Sequence, residues 1–200
     1  FIQPHLASNS QQATATNSQR KLDSFGGKEH AVYASSGSIW YTRNDGSGWS
    51  PERPIVLSST AKNPSIAVTY SAPFASVHVV WEEIENYGGY EYHNVFYCKS
   101  TNSGDTWGNP VQLGGPGWGA PTAVGQDATP VVGGSPVVVV WKGGSSSVGG
   151  VVVQVEPAFG SSTYFIVPGS NGTSVLPTLR PMNQGPFSLA FRHGTGQIQY

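Results

Sequence analysis

Charge is scarce in this chain. Lysine plus arginine number 10 and aspartate plus glutamate 11 in 200 residues, so 10% of the chain is charged, against about 25% in a typical soluble domain. Leucine occurs 7 times, lysine 5 times and methionine once. Straight-chain helix formers are therefore rare, and a helical bundle or a doubly wound α/β domain is excluded as a reading. The single cysteine, Cys98, excludes an intrachain disulfide, and its β-rich surroundings predict a thiol packed under its neighbours. The net charge of −1 offers no basic face. Duplex nucleic acid and an anionic membrane surface are therefore poor partners. The apolar runs are strand-sized, such as residues 137–141, far short of the ~20 a membrane helix needs. No membrane insertion is expected. The chain opens on Phe1, which predicts a processed, excised or partial form. Low charge and many small polar residues predict a secreted or cell-surface protein. Asn171-Gly-Thr173 fits a glycosylation acceptor.

What the chain has instead is valine (22), glycine (26), proline (15) and 12% aromatics. β-branched residues suit a pleated surface, and glycine and proline suit turns. A repeat organises them. Glu29-His-Ala-Val-Tyr33, Val77-His-Val-Val-Trp81, Val137-Val-Val-Val-Trp141 and Phe187-Ser-Leu-Ala-Phe191 each end on an aromatic. Those aromatics stand 48, 60 and 50 residues apart, a period that belongs with propeller blades. Taking this segment as the second strand of a unit, first strands are predicted over 18–24, 64–69, 130–134 and 177–182. Three of the four open on proline, where no ladder N–H is yet needed. Third strands are predicted over 38–41, 94–97, 151–154 and 197–200, and fourth strands over 53–57, 109–113 and 164–167.

The fourth unit ends before a fourth strand, while Phe1-Ile-Gln-Pro-His-Leu6 reads like one without a unit. The prediction is an all-β propeller of four-stranded antiparallel blades, with units about 18–59, 61–115, 127–169 and 174–200 plus 1–7. The N-terminal strand would close the ring and remove a sheet edge. Two alternatives remain: half of a six- to eight-bladed ring, which would self-associate across its open edges, and a two-sheet sandwich.

Two turns carry a family resemblance. Ser100-Thr-Asn-Ser-Gly-Asp-Thr-Trp107 and Thr42-Arg-Asn-Asp-Gly-Ser-Gly-Trp49 lie at the same place in their units, between third and fourth strands. Both resemble the Asp-box, the bacterial neuraminidase repeat, Ser/Thr-x-Asp-x-Gly-x-Thr-Trp/Phe. Matching residues are Ser100, Gly104, Thr106 and Trp107, and Thr42, Gly46 and Trp49. Asn102 and Asn44 replace the aspartate and keep a turn-forming side-chain oxygen; Gly48 replaces the threonine. The resemblance covers residues 18–115 well. It implies a sialidase-like β-propeller, a box that ties a structural hairpin away from the catalytic face, and Trp49 and Trp107 packed between blades.

In such a propeller the opposite rim is the ligand rim. There the second unit has an unusual loop, Glu82-Glu-Ile-Glu-Asn-Tyr-Gly-Gly-Tyr-Glu-Tyr-His93, with 4 of the chain's 11 acids and three tyrosines. Trp118 follows in a Gly/Pro-rich connection. Carboxylates beside flat aromatic faces form a platform for sugar hydroxyls. The predicted contact residues are Glu82, Glu83, Tyr87, Tyr90, Tyr92 and Trp118, with Arg192 opposite and Lys142 and His193 on the same rim. A solvated hairpin is the plainer reading. A calcium site from Glu82, Glu83, Glu85 and Asn86 is a further one, since calcium takes six to eight oxygens.

Catalysis is not the expectation. The sialidase resemblance implies three arginines clamping a carboxylate, a Tyr/Glu nucleophile pair and an aspartic acid. Of five arginines, Arg43 and Arg53 belong to the box side, leaving Arg20, Arg180 and Arg192. The Phe/Tyr-Arg-Ile-Pro motif of the family is absent; Phe191-Arg192-His193-Gly194 shares two residues of it. Glu82 and Glu83 are adjacent on a strand end and point to opposite faces, so they are no glycosidase pair. No phosphate loop, nucleophile elbow or metal-spaced His/Cys set appears. His30 and His78, at matching positions, read as packing residues. The function expected is non-enzymatic binding of a glycan or protein partner. A sialidase-like hydrolase and a structural blade set of a larger surface assembly are the alternatives.

Overall fold

The structure is a computed structural model that describes residues 20–71, 73–114, 123–124, 127–133, 136–144, 149–156, 159, 163–171, 173–180, 188–193 and 196–199. The predicted strand over residues 1–7 and Trp118 lie outside the described residues. Within them the chain is all-β, with no helix.

The strands run as consecutive antiparallel meanders. The first is β1 (Leu22–Phe25), β2 (Lys28–Ser35), β3 (Ser38–Asn44) and β4 (Arg53–Val56), paired in that order. The second is β5 (Lys62–Ser71), β6 (Phe74–Tyr87), β7 (Tyr90–Ser100) and β8 (Val111–Gly114). After the two-residue β9 (Ala123–Val124) come β10 (Val131–Gly133), β11 (Val138–Gly144), β12 (Gly149–Val155) and β13 (Phe165–Ile166). The last is β14 (Val175–Arg180), β15 (Ser188–Arg192) and β16 (Ile198–Gln199). Each strand predicted in the four units, outside 1–7, has its counterpart here. The sheets do not close on one another among the described residues.

One element departs from the predicted units. β9 pairs antiparallel with Tyr92–His93 of β7 and parallel with Gly144 of β11, fusing the second and third meanders into one nine-stranded sheet. The reason is length. β7 runs past the end of its partner β8, whose pairing stops at Val95, and the uncovered backbone groups take up Ala123–Val124.

The valine runs have a plain cause: successive meanders pack face to face, so both faces of a strand are buried. Val77, Val79 and Trp81 of β6 join Val32, Ile39 and Tyr41 in one core. Val80, from the other face of the same strand, joins Val139, Trp141 and Val152 in the next. Val138 and Val140 of β11 then meet Leu179 and Phe191 in a third. Trp81 and Trp141 are fully buried, and a large side chain placed so contributes about 1.5–3 kcal/mol.

The repeat extends to backbone strain. Asn63, Thr129 and Leu176 each precede the proline of a first strand, and each has positive φ (52°, 45° and 54°). Non-glycine residues rarely sit there, and a residue before proline is restricted further.

Both tryptophan turns are held by the asparagine at their third position. Asn102 Oδ1 accepts from Thr106 N at 2.9 Å, and Ser100 Oγ accepts from Gly104 N at 2.9 Å. Asn44 Oδ1 accepts from Gly46 N at 2.9 Å and Gly48 N at 3.1 Å, and Thr42 Oγ1 donates to Ser50 O at 2.8 Å. Trp107 packs edge-on against Tyr41 of the first meander, ring centres 5.1 Å apart. Trp49 differs from the expectation of a core residue. It stays 37% exposed and closes its own hairpin through a bridge to Asn44. The two turns are also joined: Arg43 Nη1 donates to Ser103 O at 2.7 Å and to Asp105 at 3.0 Å.

Candidate functional site

The long loop of the second unit is a strand extension. β6 and β7 pair without interruption from Val77↔Ser100 to Tyr87↔Tyr90. They are joined by Gly88 and Gly89 at φ 59° and 80°, the doubly left-handed turn that matches strand twist. β5 pairs with β6 only as far as Glu82, and β8 with β7 only as far as Val95. The five pairs beyond therefore run about 17 Å past the ends of β5 and β8, with β9 alongside Tyr92–His93 and the last two pairs beyond it.

Register sorts the predicted contact residues onto two faces. Glu83, Glu85 and Tyr87 share one face with their partners Asn94, Tyr92 and Tyr90. On it Tyr87 and Tyr90 are 64% and 62% exposed at the tip. Glu85 accepts from Asn94 Nδ2 at 2.7 Å, and Glu83 accepts from Trp81 Nε1 at 2.8 Å and Ser58 Oγ at 3.1 Å. Four of the predicted residues, Glu83, Tyr87, Tyr90 and Tyr92, are thus brought together.

Glu82 is not among them, and this corrects the sequence reading. It lies on the opposite face with Ile84, Asn86 and their partners, and its side chain is fully buried. Its oxygens accept from Ala128 N at 2.5 Å, Thr129 N at 2.9 Å and Asn63 Nδ2 at 2.7 Å. Buried charge is costly unless it is paired and hydrogen-bonded, and this carboxylate takes its donors from the lead-in to β10 and from β5. The four residues of the calcium reading divide between the two faces: Glu82 and Asn86 lie on one, Glu83 and Glu85 on the other.

Around Glu82 sits a set that sequence reasoning missed. Buried His93 has Nδ1 3.6 Å from both Glu82 Oε1 and Asp127 Oδ1, and its Nε2 lies 2.8 Å from Glu91 Oε1. The Lys62 ammonium is 2.6 Å from Asp127 and 3.6 Å from Glu82. Burial disfavours charge on His93, but the Glu82 carboxylate beside it, with the Glu91 hydrogen bond adding to it, outweighs that and raises its pKa above the ordinary histidine value. Burial likewise opposes the charge on Lys62, and Asp127 and Glu82 outweigh it and raise its pKa. Lys21 is the reverse case: burial pulls it down to about 7 against the pull of Glu82, and its ammonium donates to Pro64 O.

The remaining predicted positions are scattered. Lys142 is fully buried, with its pKa lowered to about 8 by desolvation, so it is not presented on a rim. Arg192 is exposed at the end of β15. Arg20 pairs with Asp23 at 3.1 Å, and Arg53 reaches Asp105 O at 3.2 Å beside the second tryptophan turn. Cys98 is buried, with its thiol pushed up to about 11 by burial. A search against protein-family models found no match, and no curated protein matches the chain.

Proposed function

We propose that this chain is a non-enzymatic binding module, extracellular, of sialidase-like propeller build, that holds a glycan on the Tyr87/Tyr90/Tyr92 face of the β6–β7 hairpin. The carrying observation is the hairpin itself: an extension of about 17 Å that ends in two tyrosines exposed by 64% and 62%. Tyrosine offers a flat apolar ring with a polar tip. Glu85, bonded to Asn94 on the same face, supplies an oriented acceptor for hydroxyl groups. A protein partner engaged through the same tyrosines is the second occupant of this face.

The propeller arrangement is supported by the first strands. Ile66 N of β5 donates to Arg20 O just ahead of β1 at 2.8 Å, and Val132 N of β10 donates to Ser65 Oγ of β5 at 3.4 Å. β10 in turn packs against β14. First strands that follow one another around an axis would be neighbours in this order, with residues 1–7 adding the outer strand to β14–β16. A glycan array probed with the wild-type chain and with Tyr87→Ala/Tyr90→Ala tests the reading. Retention by wild type and its loss in the variant, at unchanged melting temperature, is the expected result. Turnover of a fluorogenic sialoside, or equal retention by both proteins, overturns it.

A further inference from the structure

The face of the β6–β7 hairpin that points away from the tyrosines carries a second chemistry. Glu82 and His93 are both buried, and one ligand atom from each of Glu82, His93 and Asp127 falls within 4.8 Å of the others. From this geometry we propose that Glu82, His93 and Asp127 form a site for a single divalent transition-metal ion of the zinc class. His93 Nδ1 stands 3.6 Å from Glu82 Oε1 and 3.6 Å from Asp127 Oδ1. That spacing is longer than a hydrogen bond. It is close to the edge of a tetrahedron whose metal–ligand bonds are about 2.0–2.2 Å. The other ring nitrogen, Nε2, is held at 2.8 Å by Glu91, as a metal-bound histidine is commonly oriented through its second nitrogen by a carboxylate. Glu82 is fixed in turn by the amides of Ala128 and Thr129 on its second oxygen. A nitrogen ligand with two carboxylates favours zinc, cobalt or nickel over calcium, which takes an all-oxygen shell. Three protein ligands leave a position for water.

Lys62 is the competing cation. Its ammonium reaches Asp127 at 2.6 Å from a stem that is one-third exposed, so it can turn to solvent as an ion enters. The ion would take over the charge balance that Lys62 otherwise supplies to Glu82 and Asp127. The site needs neither the tyrosine face nor the propeller arrangement, and it stands or falls apart from them.

Titration of the whole chain with Co²⁺, followed by visible absorption, and with Zn²⁺, followed by calorimetry, tests the proposal. Expected are one equivalent bound, a low-symmetry cobalt spectrum, affinity at least tenfold weaker in Asp127→Asn, and affinity tighter in Lys62→Met. His93→Gln should abolish the spectrum. If that variant does not fold, the half-exposed Asp127 keeps the test intact. Absence of binding in both wild type and Lys62→Met overturns the proposal. So does binding that Asp127→Asn and His93→Gln leave unchanged, or a response to Ca²⁺ with none to Zn²⁺.

Discussion

His78 Nδ1 lies 2.8 Å from the Tyr97 hydroxyl, with both groups inside the protein. The first meander repeats the pair: His30 Nδ1 lies 2.7 Å from the Tyr41 hydroxyl. In these two meanders a second-strand histidine is hydrogen-bonded at Nδ1 to a third-strand tyrosine; Nε2 of His78 also meets Thr69 Oγ1 at 2.8 Å, whereas Nε2 of His30 is buried with no hydrogen-bond partner among the described residues. Desolvation lowers the pKa of His30 to about 4, with Arg43 adding to it, and that of His78 to about 3, with Lys99 adding to it.

Acid stability follows with a definite sign. Both histidines bind protons more weakly in the folded chain than unfolded. Their contribution is whole above pH about 6.5 and is lost as the pH falls toward about 4 for His30 and about 3 for His78, a few kcal/mol each. His93 runs the other way: its raised pKa gives a contribution present below pH about 6.5 and lost as pH climbs through the folded value. Thermal unfolding of His78→Gln and wild type, compared from pH 7 to pH 4, should show a gap in melting temperature that narrows with acidity. A gap that stays constant contradicts the assignment.

The two turn glycines at matching positions should respond differently to alanine. Gly46 has φ 92° and open space around an added Cβ, whereas at Gly104, φ 88°, a Cβ would stand 2.0 Å from the Tyr41 hydroxyl. Gly46→Ala therefore costs about 1–2 kcal/mol for the backbone alone. Gly104→Ala adds an overlap worth a further 1–3 kcal/mol or so, because Tyr41 is itself buried and held by His30 and Ser103. Urea midpoints measure the difference; equal losses at the two sites would show that the meanders do not meet at this turn.

Thr129 is a site where a mutation should help. It is β-branched at φ 45°, before a proline, and its buried hydroxyl makes no hydrogen bond among the described residues. Thr129→Gly removes both penalties and keeps the amide that Glu82 accepts from. Strain of about 1–3 kcal/mol offsets the added chain entropy of glycine, about 0.5–1 kcal/mol, so a rise in melting temperature is expected. A fall would mean that the hydroxyl or the methyl group packs to better effect than its missing hydrogen bond implies.

The strands of this fold are legible in sequence because burial on both faces leaves a clear mark. Runs such as Val137-Val-Val-Val-Trp141 and a proline at the head of β5 and β14 place the second and first strands with little ambiguity. β9 was not legible. Two residues in a Gly/Pro-rich connection carry no period, and their pairing depends on β7 outrunning β8. The tyrosine face was partly legible, since alternation sets Glu82 and Glu83 on opposite sides. Counting pairs back from the Gly88-Gly89 turn also puts Glu82 and His93 on one face. That residues 127–129 fold over that face, bringing Asp127 and two amides to Glu82, is a tertiary fact with no local signal.

The rim on which the tyrosine face stands is a consequence of the proposed ring, so the ring is the claim to test first. Site-resolved amide exchange of the full chain against a chain beginning at residue 8 does so most directly, read at the outward-facing amides of β16. Ring closure predicts slow exchange there in the full chain and a large loss of protection on truncation. Equally fast exchange in both chains contradicts it and removes the structural ground for the rim.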